Sequence, residues 1–381
     1  MNIEELRKNI DGIDRQMVEL FKQRMQTAAE IADYKRENGL PVLDRTRERE
    51  LLMKIADIAG SEYESYALRL YSQILELSKS YQHSKITGKS ELAEKISACV
   101  REFSAKELPD RAVIACQGVE GSYSSLACEK LFLLSDIMYF TSFDDVFSAV
   151  SKGMCRYGVL PIENSTAGSV NRVYDLMRQY NFYIVRCVRL KINHALLAKK
   201  GVKTGDIKKV YSHSMAFAQS SDFLGTLKGV ETIPCENTAM AAKAVAESGE
   251  PGVAAISSRE CAQLYGLDIL ESSVQNRDDN YTRFILISKQ PEIYPGADRT
   301  SLMLTLPHRA GSLNSLLGLF SALNINLVKL ESRPLEGSDF EFMFYFDVEG
   351  SVYSDKFIRL INELEFATDS FTYLGSYSEV L

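Results

Sequence analysis

The chain has 381 residues, 45% hydrophobic and 25% charged, with a formal net charge of −7. That length and mix suit two or three globular domains with proper cores. The acidic balance argues against nucleic acid as a main partner, since phosphate binding needs a basic surface, but leaves room for small anions held by a local cluster of Arg and Lys.

The N-terminus, MNIEELRKNIDGIDRQ, is charged and amphipathic and lacks the apolar core of a signal peptide. No stretch approaches the roughly 18–20 apolar residues of a membrane span, so a cytoplasmic, membrane-free protein is expected. The seven cysteines (Cys99, Cys116, Cys128, Cys155, Cys187, Cys235 and Cys261) form no C-x-x-C pair, and the four histidines show no H-E-x-x-H spacing. No metal, no cofactor and a reducing compartment are expected.

Residues 1–85 read as helical. Ile3, Leu6, Ile10, Ile13, Met17, Leu20 and Phe21 recur at three and four, up to a stop at Asn38-Gly39. Asp44 is a plausible N-cap for a second helix to about Ile58, and a third covers roughly 62–82. The stripe 7, 10, 14, 17, 21, 24, 28, 31, 35 places Arg7, Arg24 and Lys35 among core positions. Periodicity leaves two readings open: cations at the margin whose stems cover apolar neighbours, or cations facing a ligand. Arg24 and Lys35 lie about 16 Å apart along the axis, and Arg7 and Arg24 about 26 Å. The first pair can converge on one small ligand. Arg7 joins them only from a second copy packed antiparallel, so the ligand reading carries a homodimer or higher oligomer with it.

Residues 86–111 read as a linker with some helix (Leu92, Ile96, Val100, Phe103). From 112 to 290 short apolar runs alternate with helical ones: Ala112–Cys116, Ile137–Phe140, Tyr157–Pro161, Phe182–Leu197, Lys209–Tyr211, Val230–Pro234 and Val253–Ile256. This predicts an α/β fold with a largely parallel sheet and ligands at strand C-terminal ends. Gly118–Ser124 after the first strand presents N–H groups and hydroxyls at a helix start, a candidate anion site. Glu163 and Asn164 end a strongly apolar strand, with Gly168-Ser169 expected at the next helix start; Ser212-His213 and Gln219 follow another, and Asn280-Tyr281-Thr282-Arg283-Phe284 opens the last. Residues 297–381 read β-α-β-β-α-β, with strands including Phe340–Val348, a ferredoxin-like order.

The helical segment resembles the all-helical chorismate mutases through Leu6-Arg7, Arg24, Lys35, Asp44–Glu50, Ser78 and Gln82. The resemblance implies that Arg24, Arg47 and a partner chain's Arg7 hold the substrate's two carboxylates, that Lys35 and Gln82 donate to the ether oxygen, and that Glu48 binds the hydroxyl; Asp44 and Ser78 complete the substrate set. A Claisen rearrangement needs no nucleophile or metal, only a compact conformer and donors at the breaking C–O bond.

The central segment resembles the prephenate dehydratases through Gly118–Ser124, Tyr157–Ser165, Tyr211-Ser212-His213 and Thr282-Arg283-Phe284. This implies two α/β lobes around a cleft, like a periplasmic binding protein, with Thr282 as principal catalytic residue and Glu163, Asn164, Ser212, Gln219 and Glu236 lining the site. Family members often carry Pro and Gln after Ser-His, where this chain has Ser214-Met215, which puts the local loop shape in doubt. Arg283, on the opposite strand face from Thr282, is expected to be structural. In the last block, Pro307–Leu313 and Glu331-Ser332-Arg333-Pro334 resemble the two effector motifs of phenylalanine-binding ACT domains, implying effector contacts from Gly311, Ser312, Leu313, Asn314, Glu331, Ser332, Arg333 and Pro334. Together these imply conversion of chorismate to prephenate and then to phenylpyruvate under feedback by phenylalanine. The alternatives are a solute-binding sensor, disfavoured by the absent signal peptide; an arogenate dehydratase, disfavoured by the fused mutase; and a mutase–dehydrogenase, disfavoured by the lack of a nicotinamide fingerprint.

Overall fold

The structure is a computed structural model that describes residues 2–87, 90–335 and 342–381. Gly88 and Lys89 of the expected linker, and Phe340 and Glu341 of the expected strand, lie outside the described residues. Two compact units emerge: Met1–Ala98 with Met303–Phe346 and Tyr353–Phe371, and Cys99–Leu302 with Asp347–Val352 and Thr372–Leu381.

In the first unit, α1 (Ile3–Asn38) starts at an Asn2 capping box with Glu5 and stops at Gly39, whose φ of 63° suits glycine. Asp44 caps α2 (Arg45–Thr87) by accepting from the Arg47 N–H at 3.0 Å. Gly60 interrupts α2 with φ 69° and ψ 167°, so the two helices expected there are separated by one residue, and the second runs to Thr87. Within the expected linker lies α3 (Glu91–Phe103), which begins at Ser90 and buries Ala93 and Ile96.

The second unit carries β1 (Arg111–Gln117), α4 (Tyr123–Leu131), β2 (Leu134–Phe140), α5 (Phe143–Ser151), β3 (Tyr157–Asn164), β4 (Gly168–Ser169), α6 (Asn171–Tyr180), β5 (Tyr183–Lys191), β6 (Ala195–Ala198), β7 (Lys209–Ser212), α7 (Ser214–Gln219), α8 (Ser221–Thr226), β8 (Glu231–Pro234), α9 (Thr238–Glu247), β9 (Val253–Ser257), α10 (Glu260–Tyr265), β10 (Asp268–Ser272) and β11 (Tyr281–Ser288). The third block follows as β12 (Arg299–Thr305), α11 (Ser312–Ala322), β13 (Asn326–Pro334), β14 (Phe342–Glu349), α12 (Asp355–Ala367) and β15 (Ser370–Tyr377), with a last short strand, β16 (Glu379–Val380).

The central block forms two sheets, ordered β16-β5-β11-β3-β1-β2 (β4 pairing β3) and β10-β6-β9-β7-β8. The expectation of a largely parallel sheet needs correction. β1–β2, β1–β3, β7–β8, β7–β9 and β16–β5 are parallel, but β3–β11, β11–β5, β3–β4, β6–β9 and β10–β6 are antiparallel. The apolar run Phe182–Leu197 is not one strand: β5 and β6 belong to different sheets, and Gly168-Ser169 is a strand where a helix start was expected.

The chain crosses between the sheets at residues 192–194 and returns at 273–280. These crossovers are laced together: His194 N donates to Gln275 Oε1 at 2.9 Å, Gln275 Nε2 to Asn193 Oδ1 at 2.7 Å, and Ile192 N to Asn280 O at 2.8 Å. The β3 and β7 C-terminal ends, one in each sheet, and the return crossover carry most of the residues singled out above. In the third block the sheet order is β13-β14-β12-β15, the arrangement of a β-α-β-β-α-β fold with its first and third strands at the centre.

Candidate active sites

The helical unit brings α1 and α2 together around a polar strip. Arg24 Nη1 donates to Ser78 Oγ. Lys35 Nζ donates to Val42 O at 2.6 Å and to Gln82 Oε1 at 3.4 Å. Ser78 and Gln82 are buried, four apart on one helix face. Neither Arg24 nor Lys35 has a carboxylate within ion-pair distance among the described residues; both are half-buried and rest on neutral acceptors. That is the electrostatic state of a site built for an anion.

Glu48 reaches this strip through Lys79, a residue the sequence reading missed. Lys79 is 9% exposed and lies 3.2 Å from Glu48 and 2.8 Å from Glu76. Its signal was its place one residue after Ser78, on the turn that faces α1. The other expected residues stand apart. Asp44 serves as the helix cap, the exposed Arg47 lies 3.7 Å from Glu50 on its own helix, and Arg7 is exposed far along α1.

In the α/β unit, Thr282 and Asn164 are register partners on β11 and β3, and Asn164 Nδ2 donates to Thr282 Oγ1 at 2.9 Å. Glu163 is not brought to Thr282. Its register partner is Arg283, whose Nη1 lies 3.1 Å from Glu163 Oε2, because alternation sends neighbouring strand residues to opposite faces. Glu163, expected to line the site with Thr282, is therefore turned to the opposite face of the sheet. Arg283 also meets Asp347 at 2.9 Å and Glu379 at 3.3 Å. Burial alone lowers its pKa, but the Asp347 carboxylate against it keeps it charged.

Ser212 is fully buried, and its hydroxyl donates to Ile256 O at 2.7 Å, so it braces β7 against β9 instead of facing a cleft. Gln219 closes α7, which starts at the Ser214-Met215 departure and is capped by His213 Nδ1. Gln219 Oε1 lies 3.1 Å from Nε2 of buried His194, a second residue the sequence reading missed; burial lowers the His194 pKa, so the ring stays neutral. Glu236 is exposed, directly before Asn237, the N-cap of α9.

The Gly118–Ser124 loop comes close to Asn237, the residue after Glu236: a Cβ on Gly118 would stand 3.7 Å from Asn237 Nδ2. Gly118 has φ 108°, and a Cβ there would stand 3.1 Å from Ser122 Oγ. Gly121 O accepts from Cys261 and Ser258, and Tyr265 Oη donates to Glu120 O at 2.8 Å, so the loop from one sheet is seated on α10 beside the other. Tyr123 Oη donates to Asn193 O at 2.8 Å, tying α4 to the first crossover. Thr282, Ser212, Ser165 and Thr166 donate to no histidine or carboxylate among the described residues, so none is an activated nucleophile.

In the third block Gly311 (φ 90°) precedes α11, and Ser312 Oγ is buried without a hydrogen-bond partner among the described residues. Leu313 and Asn314 follow in the first turn. Glu331, Ser332, Arg333 and Pro334 close β13, where Glu331 pairs with Lys329 at 3.2 Å. Because α11 returns the chain between β12 and β13, both segments fall at the same end of the sheet.

Comparison with known proteins follows this division. The family described as chorismate mutase type II matches residues 6–83, and the family described as prephenate dehydratase matches residues 114–292. The bifunctional chorismate mutase/prephenate dehydratase of Escherichia coli is 31% identical over 382 residues, covering 98% of this chain and 95% of the relative. Among solved structures, the prephenate dehydratase of Arthrobacter aurescens in complex with L-Phe is 27% identical with a TM-score of 0.64, covering 70% of this chain and 89% of that one. GqqA, described as a quorum quenching acylase, is 31% identical with a TM-score of 0.64, covering 70% and 98%.

Proposed function

We propose, since this chain belongs to the bifunctional chorismate mutase/prephenate dehydratase family, how its residues divide the two reactions. The enzyme rearranges chorismate to prephenate and then decarboxylates and dehydrates prephenate to phenylpyruvate, two steps of phenylalanine synthesis. The observation that carries the assignment is that one chain holds both a cation pair, Arg24 and Lys35, with no carboxylate within ion-pair distance among the described residues, and a Thr282 hydroxyl held by Asn164.

For the rearrangement, Arg24 and Arg47 clamp the dianion in its compact conformer. Lys35 and Gln82 sit at the ether oxygen, where negative charge builds as the C–O bond breaks, and Glu48 takes the hydroxyl; Asp44 caps the helix that carries Arg47 and Glu48, and Ser78 accepts from Arg24 and holds it in place. For the dehydration, Thr282 donates to the leaving hydroxyl, with Asn164, Gln219 and Glu236 around the substrate. Ser212 acts from inside the sheet and Glu163 through Arg283.

We assign residues 1–85 to the mutase, 112–290 to a dehydratase of two binding-protein-like lobes, one per sheet, and 297–381 to an ACT-type regulatory domain, with 86–111 as connector. L-Phenylalanine is the effector, held by Gly311–Asn314 and Glu331–Pro334. The Ser312 hydroxyl, without a hydrogen-bond partner among the described residues, supports this, as does the relative solved with L-Phe. The effector inhibits only by binding the less active state more tightly. Seven free thiols, six of them buried, support a reducing, cytoplasmic setting; among the described residues no helix is long and apolar enough to cross a membrane.

The purified chain fed chorismate alone is expected to form phenylpyruvate, and to do so more slowly with L-phenylalanine added. Arg24→Ala should lower chorismate consumption at least a hundredfold while leaving added prephenate a good substrate. If the wild-type chain left chorismate untouched, or stopped at prephenate, the corresponding half of the assignment would be lost.

A homodimer supports the mutase site. Along the first half of α1, Ile3, Leu6, Ile10, Ile13, Met17 and Leu20 are all exposed, an apolar face too long to leave wet. An antiparallel second copy covers it and delivers Arg7 to the partner's Arg24. Arg7→Ala and Arg24→Ala chains, each inactive as a mutase, should regain roughly a quarter of wild-type activity when refolded together at equal amounts, since half the dimers are then mixed and each mixed dimer has one intact site of two. No regain on mixing would place Arg7 outside the site.

A further inference from the structure

Beside Thr282 the structure leaves one buried donor unexplained. Asn164 Oδ1 accepts from the backbone N–H of Thr166 at 2.9 Å and of Ala167 at 2.8 Å, which fixes its amide orientation. Its nitrogen therefore points the other way and donates to Thr282 Oγ1 at 2.9 Å and to Asn280 Oδ1 at 2.8 Å. The same logic then fixes Asn280: with its oxygen turned to Asn164, its Nδ2 faces away. That nitrogen is buried and has no hydrogen-bond partner among the described residues, on a residue only 2% exposed. The backbone cannot swing it out, because Asn280 O accepts from Ile192 N at 2.8 Å and Tyr281 N donates to Ser165 Oγ at 2.9 Å. A buried donor left unmade costs about 1–3 kcal/mol, and such groups persist where a ligand completes them.

The reaction supplies the missing acceptor. Prephenate loses its ring carboxylate as carbon dioxide. The pair of that C–C bond enters the ring, and the C–O bond breaks with its pair leaving on oxygen. One proton from solvent is consumed, and water, carbon dioxide and phenylpyruvate result. Negative charge thus falls on the ring carboxylate and rises on the leaving oxygen. A donor to the carboxylate would stabilise the ground state; a donor to the leaving oxygen stabilises the transition state.

We propose that Asn280 Nδ2 is a second hydrogen-bond donor to the leaving hydroxyl of prephenate, acting beside Thr282. This rests on the assignment of Thr282 made above. With Oγ1 already accepting from Asn164, Thr282 turns its own hydrogen toward the substrate. Asn280 both holds that arrangement, through its oxygen, and adds to it, through its nitrogen.

Asn280→Asp separates the two roles, since it keeps the oxygen that Asn164 needs and removes the donor. The readout is kcat at saturating prephenate, where repulsion of the substrate in the ground state has been overcome. A fall of about a hundredfold is expected; a fall smaller than tenfold overturns the proposal, because a residue that only braced Asn164 would tolerate the change. Should Asn280→Asp lack the wild-type melting transition, Asn280→Ser replaces it: its hydroxyl can accept from Asn164 but is too short to offer a second group, and the same thresholds apply. Thr282→Ala, assayed alongside, distinguishes the failures. If it keeps its dehydratase kcat, the site assignment and this proposal fall together. If it loses kcat and Asn280→Asp does not, the proposal falls alone.

Discussion

Thr282→Ala is expected to convert the protein into a one-step enzyme: chorismate consumed at the wild-type rate, prephenate accumulating, and kcat for prephenate lowered about a thousandfold. That loss corresponds to about 4 kcal/mol of transition-state stabilisation, within the range of a single preorganised donor or acid. The reason lies in one hydrogen bond. Asn164 Nδ2 fills an acceptor site of Thr282 Oγ1, so the hydroxyl is pre-turned as a donor. A threonine hydroxyl is a poor acid, and its contribution comes from being aimed, not from its acidity. Thr282→Ser keeps the hydroxyl and should stay within about tenfold of wild type, as the β-methyl only narrows its rotamers. Chorismate, prephenate and phenylpyruvate followed in one reaction check all of this, with the mutase as internal control in the same chain. A Thr282→Ala kcat within tenfold of wild type would move the donor role to another residue.

The helices were legible in the sequence because their signals are local. Gly39 and Asp44 each punctuate the chain by their own chemistry, whereas the Asn2 cap and the break at Gly60 emerge only in the structure. The sheets were less so. β3, β9 and β11 are largely buried, mostly apolar runs, and a run of that kind says nothing about whether its neighbour is parallel. The break between β5 and β6 falls at Asn193-His194, but Arg186, Arg189 and Lys191 already interrupt the apolar residues before it, so two more polar residues did not stand out, and only the crossover contacts show why they are there.

The same rule succeeded and failed within the candidate site. Alternation put Arg283 on the face opposite Thr282. Applied equally to Glu163 and Asn164, it would have sent Glu163 to Arg283 and left Asn164 with Thr282, as the register has it. Ser212 was unreadable for another reason: a serine at a strand end can face a cleft or its own sheet, and only the bond to Ile256 O decides. Arg24 and Lys35 stood out from the beginning, because a charge on an apolar stripe is a conflict that needs a cause.

Arg283→Met is expected to destabilise the α/β unit by about 3–5 kcal/mol, the range for removing one partner of a buried ion network. Arg283 is 16% exposed and stands among Glu163, Asp347 and Glu379, the last two 9% exposed. Glu379 keeps a second cation, Arg299, at 3.6 Å. Among the described residues Asp347 keeps only the Ser301 hydroxyl, so the uncompensated charge falls there. Arg283→Lys should lie between, since an ammonium supplies the charge but not the fork that reaches three carboxylates and the Tyr377 hydroxyl at once. Adding Asp347→Asn to Arg283→Met should recover part of the loss, because it removes the charge left stranded. The chain has no tryptophan, so urea unfolding is best followed by circular dichroism, reading the midpoint at constant slope. A shift below 1 kcal/mol would mean the carboxylates are hydrated or protonated without Arg283. The expected shift has a consequence for catalysis. Arg283 and Thr282 are consecutive on β11, on opposite faces, so the residues that anchor one fix the backbone that aims the other. Asp347 on β14, Tyr377 on β15 and Glu379 on β16 all come from the C-terminal block, so the strand presenting the Thr282 hydroxyl is held from behind by residues far later in the chain. Arg283→Met should therefore lower dehydratase kcat even in the fraction that stays folded, while the Asp347→Asn combination restores stability more than it restores kcat, because the fork that set the position of β11 is still missing.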